Sequence, residues 1–355
     1  MPAAAAAARR TAPQGGLLLL RRRFCGIMAY PNPIVEEQTM YDVVAIGELL
    51  IDFTTLETNA AGYPLMQAHP GGAPGNFLAA MSAYGAKTAF LGKVGDDAFG
   101  RLLIHTLEAA GIDAAGVRVD PAVFTTLAFV TRDARGERSF SFARKPGADA
   151  MLRPEEIDLS CIDQARILHF GTLSLTDEPA RAATQLAVTH AKRAGKRVTF
   201  DPNLRLSLWP DPETARQQIL WGLGQADVVK ISDEEAAFLF GACAPEEAAA
   251  RLLDDFKVSL VLLTLGAKGC LLQNRLASAR ASCPKVSPVD TTGAGDIFGG
   301  SAMGRMLRLG KAPEALTGDQ LMQIARFAVT AASLSTERQG GISSIPSEAE
   351  VLARM

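Results

Sequence analysis

The chain has 355 residues, of which 48% are hydrophobic and 21% are charged, and its formal net charge at pH 7 is −2. This composition is ordinary for a globular protein, and the even balance of charge excludes the basic surface that nucleic-acid-binding and membrane-surface proteins carry. No apolar run reaches the roughly 18 residues of a membrane-spanning helix, so neither nucleic acid nor a membrane is an expected partner.

Two features bear on the compartment in which the chain resides. Residues 1–40 contain an alanine run, a short leucine run and clustered arginines, with no acidic residue before Glu36. An organelle transit peptide is one interpretation. The favoured interpretation is a disordered extension ahead of an in-frame translation start near Met28 or Met40.

The cysteines are odd in number, widely spaced and without a C-x-x-C pair, which favours a reducing compartment. We therefore expect a cytoplasmic protein.

From Tyr41 onward, strand and helix patterns alternate along the chain. Strands are predicted at 42–46 and 88–91, and helices at 75–84 and 97–110. From about 125 to 142, apolar residues alternate around a polar turn at 133–137, which is typical of a β-hairpin. We predict that this hairpin belongs to a small β lid made of segments at about 54–68 and 120–145.

The alternation of predicted strands and helices resumes after Pro154. Strands are predicted at 167–170, 198–200, 228–231 and 260–265, and helices at 179–194, 213–223, 234–240, 294–309 and 321–335. Strands that alternate with helices of this length predict an α/β fold, with a mostly parallel central sheet flanked by helices on both faces. Residues 41–355 are expected to form one such domain.

The strongest chemical signal is the segment Asp290-Thr-Thr-Gly-Ala-Gly-Asp296, which opens the predicted helix 294–309. Gly293, Ala294 and Gly295 are small, so backbone N–H groups can crowd together at the helix start, where unpaired donors and the helix dipole bind anions. Asp296, in the first turn, could accept a proton from an alcohol beside a bound phosphate. The alternative is an ordinary glycine turn followed by a favourable helix-start aspartate.

Two further polar segments lie where ligands bind in α/β folds. The segment Gly71-Gly-Ala-Pro-Gly-Asn76 permits close backbone approach and places an amide that suits sugar hydroxyls. Asp52 and the pair Asp201 and Asn203 each follow a predicted strand, at the edge where parallel sheets bind ligands. Taken alone, the 71–76 segment would be a tight turn with an asparagine near the helix start, and Asp52, Asp201 and Asn203 are each equally consistent with a ligand contact or a loop cap.

Together these segments resemble the two signatures of the ribokinase-like (PfkB) carbohydrate kinase family, and the fructokinase branch most closely. The resemblance extends from about Tyr41 to the C-terminus. It implies that Asp296 is the catalytic base and that residues 293–295 form the anion hole. The implied sugar-binding residues are Asp52, Gly71, Gly72, Asn76, Arg144, Asp201 and Asn203. Arg144 belongs to a segment, 140–152, in which an arginine of the fructokinase branch reaches the active site; Ala143 replaces the aromatic residue common before it.

The resemblance also implies ATP, Mg²⁺ and K⁺ as cofactors. The implied nucleotide-side residues are Lys230, Ser232, Thr264, Gly266, Gly269, Val289, Phe327 and Val329, of which the last three contribute to the adenine pocket. Glu235 is expected to act on Mg²⁺ through water, because Mg²⁺ keeps much of its hydration shell. The implied ligands of the monovalent cation are Asp290, Thr292, Ser335, Arg338, Gly340 and Ser344, several of them through backbone carbonyls.

The implied activity is ATP-dependent phosphorylation of a sugar hydroxyl, most simply D-fructose to fructose 6-phosphate. Another acceptor, such as 2-keto-3-deoxygluconate, ribose or a nucleoside, is the first alternative. A catalytically silent sugar-binding regulator is the second, and the intact anion turn with Asp296 argues against it. The hairpin carries Leu127, Phe129, Phe140 and Phe142 on its two strands, and such apolar edges tend to pair, so a homodimer through the lids is expected.

Overall fold

A large, mostly parallel β-sheet runs through the centre of the fold. The computed structural model describes residues 40–132 and 138–355; residues 1–39 of the predicted extension and the turn 133–137 lie outside the described residues. The strands are β1 Tyr41–Ile46, β2 Leu50–Thr58, β3 Pro64–Gly71, β4 Thr88–Gly95, β5 Ile112–Asp113, β6 Val117–Asp120, β7 Thr126–Arg132, β8 Arg138–Ala143, β9 Ala165–Gly171, β10 Arg197–Asp201, β11 Val228–Ser232, β12 Leu260–Thr264, β13 Cys270–Gln273 and β14 Ser278–Ala281. The helices are α1 Ala73–Ala83, α2 Ala98–Ala109, α3 Leu159–Asp163, α4 Ala180–Arg193, α5 Pro212–Leu223, α6 Asp233–Phe240, α7 Pro245–Asp255, α8 Ala294–Leu309, α9 Gly318–Ser335 and α10 Glu348–Arg354.

The central sheet has the strand order β14-β13-β12-β11-β10-β9-β1-β4-β5, and β6 also pairs with β4. The pairs from β12 across to β5 are parallel, and the two pairs at the β13–β14 end are antiparallel. This confirms the predicted mostly parallel sheet. Because parallel strands end at the same edge, the loops after β1, β10, β11 and β12 converge on one rim of the sheet.

Helices cover both faces of this sheet. Successive side chains of a strand point to opposite faces, so in β1 Val44 and Ile46 enter the core shared with α3 to α7, whereas Val43 and Ala45 face α1, α2, α8 and α9. One polar ring enters the second core, where His169 of β9 stacks on Phe77 of α1 with ring centroids 3.7 Å apart. Packing against the sheet positions α1 and α8, two of the helices whose amino ends lie at the rim.

A second, four-stranded sheet has the order β3-β2-β7-β8. Phe53 of β2 stacks on Phe129 of β7, with ring centroids 5.4 Å apart, and meets Phe99 of α2 at 5.6 Å. The strands extend beyond the predicted 54–68 segment because the β2–β3 ladder already pairs Leu50 with Gly71. The second sheet was expected from the hairpin pattern, and its closure as a lid stays a prediction.

The described residues, 40–132 and 138–355, belong to one compact unit, which includes the second sheet. Helix α7, absent from the predicted elements, opens with a proline in its first turn and buries Ala248, Ala249, Leu252 and Leu253. Within the described part of the chain, no helix combines the length and apolarity needed to span a membrane.

Candidate active site

Two cavities adjoin at the amino end of α8. The first, which we call the polar cavity, has a volume of about 700 Å³. Its charged and amide-bearing lining residues are Glu48, Asp52, Asn76, Asn203, Arg205, Lys230, Glu235 and Asp296. The second, the apolar cavity, has a volume of about 650 Å³ and is lined largely by small and apolar residues, among them Gly266, Gly269, Pro284, Val286, Pro288 and Val329. Ser232, Thr264, Thr291 and Gly295 line both cavities.

Asp296 lies in the first turn of α8 and lines the polar cavity, with 8% of its surface exposed. Its Oδ2 accepts a hydrogen bond of 2.9 Å from Asn76 Nδ2, which fixes the carboxylate relative to α1. Burial raises the pKa of Asp296, while the nearby charge of Lys230 and the Asn76 hydrogen bond oppose that rise. A carboxylate that is oriented, partly desolvated and open to a cavity has the properties of a general base.

The start of α8 is shaped to leave backbone donors unpaired. Gly293 precedes the helix in the left-handed region, with φ of 73°, and the first helical hydrogen bond runs from Ile297 N to Gly293 O at 2.8 Å. The amides of Gly295 and Asp296 come before that bond in the chain and therefore have no acceptor within the helix. The Ala294 amide, by contrast, donates to the Thr291 carbonyl at 3.3 Å. The Ala294 amide is therefore occupied, and the predicted anion hole would centre on the amides of Gly295 and Asp296 rather than spread evenly over 293–295.

Lys230, on β11, brings a positive charge to the same place. A Cβ added to Gly295 would lie 2.9 Å from Lys230 Nζ, so the absence of a side chain there lets the ammonium group approach the helix start. Lys230 Nζ is 3.1 Å from Asp201 Oδ2. Burial by itself lowers the pKa of Lys230, but the carboxylates of Asp201, Glu235 and Asp296 outweigh burial and raise it. The lysine stays charged and suits a phosphate beside the helix.

Glu235 is held in a capping box at the start of α6. Its Oε2 accepts from the Ser232 amide at 2.9 Å, and the Ser232 hydroxyl accepts from the Glu235 amide at 3.1 Å. Its Oε1 accepts from the Leu204 amide at 2.8 Å. Each carboxylate oxygen accepts one of these bonds and keeps capacity for another, and Glu235 lines the polar cavity. This donor set fits a hydrated Mg²⁺ ion, which prefers a few carboxylates together with water and phosphate oxygens.

Four of the seven predicted sugar-binding residues line the polar cavity, and the other three, Gly71, Asp201 and Arg144, lie next to it or behind its wall. Asp52, Gly72, Asn76 and Asn203 line it. Gly71 lies directly against Asp52, since an added Cβ would stand 2.4 Å from Asp52 Oδ2. Asp201 lies behind the wall, paired with Lys230 and accepting the Asn203 amide at 3.1 Å. Burial raises the pKa of Asp52 to about 7, and the charge of Arg205 opposes that rise.

Arg144 lies outside the lining of the polar cavity and faces a neighbouring cavity of about 700 Å³ beside Phe99, Phe124 and Leu127. Its guanidinium group is held inside the protein: Nε is 2.8 Å from Asp149 Oδ2, Nη1 is 2.6 Å from Thr176 Oγ1, and Nη2 is 2.9 Å from the Leu173 carbonyl. Leu173 lines the polar cavity. In this conformation Arg144 supports the wall of the cavity from behind.

The predicted adenine residues separate into two groups. Val329 lines the apolar cavity, together with Thr264, Gly266 and Gly269. The structure does not bring Phe327 there: it is fully buried against Tyr84, with ring centroids 4.9 Å apart. Residues two apart on a helix point about 200° apart, so Phe327 and Val329 of α9 cannot face the same cavity. Val289 is half exposed and lines a different cavity, beside β2.

The predicted cation ligands lie on two loops that Asp290 ties together. Its Oδ1 accepts the Thr292 amide at 3.0 Å and the Thr292 hydroxyl at 2.8 Å, and its Oδ2 accepts the Gly340 amide at 3.0 Å. Ser344 is fully buried, and the Arg338 side chain turns toward Glu350, which leaves its backbone as the contribution to the loop. Among the described residues no cluster of three His, Cys, Asp or Glu could hold a metal ion. Backbone carbonyls beside one carboxylate fit a monovalent cation better than a tightly held divalent one.

Sequence reasoning assigned no role to Glu48, which the structure places in the wall of the polar cavity with 2% exposure. In the sequence, Glu48 stands out only as a carboxylate at the start of the apolar run that follows β1. Asn76 has a further role that the motif did not reveal: besides lining the cavity it donates to Asp296, and its Oδ1 is buried without a partner.

Comparison with known proteins agrees with this architecture. The model of the pfkB family carbohydrate kinases matches residues 40–348, and the chain belongs to that family. This chain is 42% identical over 313 residues to fructokinase-1 of Zea mays, and the match covers 87% of this chain and 96% of that protein. The predicted family is therefore confirmed.

Solved structures show the same relationship. The fructokinase of Xylella fastidiosa with bound ATP has a TM-score of 0.80 and 31% identity, and the match covers 88% of this chain and 98% of that one. A double mutant of fructokinase from Vibrio cholerae, bound to fructose, ADP and potassium ion, has a TM-score of 0.79 and 33% identity, over 89% of this chain and 99% of that one.

Proposed function

We propose that this chain is an ATP-dependent fructokinase, which transfers the γ-phosphate of ATP to D-fructose and yields fructose 6-phosphate and ADP. The observation that carries the proposal is the buried Asp296 carboxylate, placed beside the open amides of α8 where a polar and an apolar cavity adjoin. Relatives that carry the name fructokinase, one of them solved with fructose and ADP, support fructose as the acceptor.

In this proposal the polar cavity holds the sugar and the apolar cavity holds the nucleotide. Asp52, Asn76 and Asn203 orient the sugar, and Asp296 accepts the proton of the attacking hydroxyl. The amides around Gly295 and the charge of Lys230 receive the negative charge of the phosphoryl group during transfer. The chemistry needs little more than positioning and electrostatic stabilisation, which this arrangement supplies.

The metals have separate tasks. Glu235 would hold Mg²⁺ through water, and the ion would supply neutralisation of the negative charge of the nucleotide phosphates. A K⁺ ion in the 290–292 and 335–344 loops would order the turn that precedes Gly293. Asp290 already draws these loops together through Thr292 and Gly340, so the ion would act on the anion-binding turn and not on the sugar.

Initial rates of ADP release against a panel of acceptors test the proposed function. We expect D-fructose to have the highest kcat/KM, above ribose, 2-keto-3-deoxygluconate and a nucleoside, and the rate to fall when K⁺ is replaced by Na⁺. A higher kcat/KM for one of the other acceptors would transfer the proposal to that acceptor. A protein that binds one of these acceptors but releases no ADP with any of them would be a sugar-binding protein and not a kinase.

We also propose that two copies pair through their second sheets and that the protein acts in the cytoplasm. Strands β3 and β8 are the edges of that sheet, and Tyr63, Leu65 and Phe124 near it are exposed by 71%, 54% and 79%. Exposed apolar side chains beside an open edge favour association. The free thiols of Cys161, Cys243, Cys270 and Cys283 suit a reducing compartment. A monomer at micromolar concentration in light scattering would contradict the pairing.

A further inference from the structure

Glu48 occupies an unusual position for a carboxylate. It follows β1, one of the central strands, and lines the polar cavity beside Leu50 and Asp52 while only 2% of its surface is exposed. A buried carboxyl group costs free energy unless it is hydrogen-bonded, so the partners of Glu48 decide what it can do.

One of its oxygens has a structural partner. Oε1 accepts a hydrogen bond of 3.0 Å from the Ala73 amide, the first residue of α1. The chain is also tightly packed here, because a Cβ added to Gly72 would lie 2.4 Å from the Glu48 carbonyl oxygen. The carboxyl group is therefore held against the start of the helix that carries Asn76.

The other oxygen, Oε2, has no partner from another described residue. Among the described residues, Ala73 is the only other residue that hydrogen-bonds the Glu48 side chain, and the second backbone bond to the carboxyl group comes from the amide of Glu48 itself. Two bonds leave the carboxyl group with unused hydrogen-bonding capacity, and Glu48 lines the polar cavity. The neighbouring basic group cannot take up that capacity, since Arg144 is bound to Asp149, Thr176 and the Leu173 carbonyl.

We propose that Glu48 is an acceptor-binding residue: the Ala73 amide holds its carboxyl group in place, and the open oxygen hydrogen-bonds the sugar at the end of the cavity that Arg144 supports. This inference rests on the proposed sugar kinase function. It assigns sugar contact to Glu48 and a supporting role to Arg144, which the sequence motif had placed in the site.

The state of the carboxyl group suits this role. Burial raises the pKa of Glu48 to about 8, and the charge of Asp149 adds to the rise, while two backbone hydrogen bonds and Arg144 oppose it. At pH 7 the group is then mostly protonated, so it accepts from Ala73 and donates its own proton to a sugar oxygen. Ionisation above pH 8 removes the donor, and sugar binding weakens as pH rises through that value.

Two variants and a control separate this role from a structural one. Glu48→Gln keeps an acceptor for Ala73 and a permanent donor for the sugar, whereas Glu48→Ala removes both. Glu155→Gln, an exposed change of the same kind, is the matched control. Circular dichroism and thermal melts establish that each variant is folded before kinetics are compared.

We expect Glu48→Ala to raise KM for fructose about 10-fold at pH 7, the effect of losing a buried hydrogen bond. Both kcat and KM for ATP should stay within about two-fold of the wild-type values. Glu48→Gln should keep KM near the wild-type value at pH 7. It should also abolish the wild-type rise of KM above pH 8. Asp52, Asp296, Asp149 and Arg144 face the same region, and because they are present in both proteins, the difference between the two pH profiles isolates Glu48.

A folded Glu48→Ala protein with unchanged KM for fructose would overturn the inference. Identical pH profiles for wild type and Glu48→Gln would overturn it as well. Calorimetric fructose binding without ATP gives an independent readout, in which Glu48→Ala should weaken binding by the same factor. Failure of the proposed function looks different: the wild-type protein itself would release no ADP with fructose, and if it also failed to bind fructose, both proposals would fall before any variant was made.

Discussion

The polar and apolar cavities share a rim but are built by different means. The polar cavity is made of charged side chains whose positions are fixed by hydrogen bonds, such as Asn76 to Asp296 and Lys230 to Asp201. The apolar cavity is made of glycine turns and apolar side chains such as Val329. The contrast supports the proposed division of roles: reacting groups need oriented charge in a dry site, whereas a nucleotide base needs only a fitting surface.

Removal of the proposed base should give the largest effect. Asp296→Asn keeps the shape and the hydrogen bond from Asn76 but cannot accept a proton, so kcat should fall about 1000-fold, within the range for general bases. Fructose binding, measured by calorimetry, should be almost unchanged. Asp319→Asn, the same change in the first turn of the neighbouring helix α9 where the side chain is exposed, is the control. Full activity in Asp296→Asn would remove the base from the mechanism.

Neutralising Lys230 should have the next largest effect. Lys230→Met removes the charge beside Gly295, and we expect kcat to fall about 100-fold, the effect of losing one stabilising group in a dry site. It also leaves Asp201 buried without its partner, at a cost of about 3 to 5 kcal/mol in the free energy of unfolding.

The double variant Lys230→Met with Asp201→Asn separates the two effects. It should recover most of the stability, measured by denaturant unfolding, without recovering activity. If activity returned together with stability, Lys230 would be a structural residue and the polar cavity would depend on charge less than proposed.

A change in the apolar cavity should be milder and confined to the nucleotide. Val329→Phe narrows the cavity, and KM for ATP should rise about 10-fold, the effect of about 1.4 kcal/mol of lost binding, with KM for fructose unchanged. Phe327→Leu is the matched control two residues away on α9. It should lower the free energy of unfolding by about 1 kcal/mol and leave KM for ATP as in the wild type. If Phe327→Leu raised KM for ATP and Val329→Phe did not, the adenine would lie against Phe327.

Much of the fold could be predicted because its signals are local. The apolar strands β1 and β9 to β12 and the long helices α8 and α9 have the periodicity of their structure, and each lies within a few residues of its prediction. Helices α3, α7 and α10 and the two short strands β5 and β6 were missed. The strands have two and four residues, too few to show a period, and their pairing with β4 depends on tertiary contact.

The sequence by itself determined the fold class and the family, and it identified the segment that we propose to react, because a glycine turn followed by an aspartate at a helix start is a local pattern. Only the tertiary structure decided which side chains meet there. Asn76 and Asp296 are 220 positions apart in the chain, and no local pattern reveals that one holds the other. The same holds for Glu48, which lines the polar cavity, and for Phe327, which turns away from the apolar cavity. Burial and orientation depend on which residues pack against a side chain, and local secondary-structure propensity contains no information about those contacts.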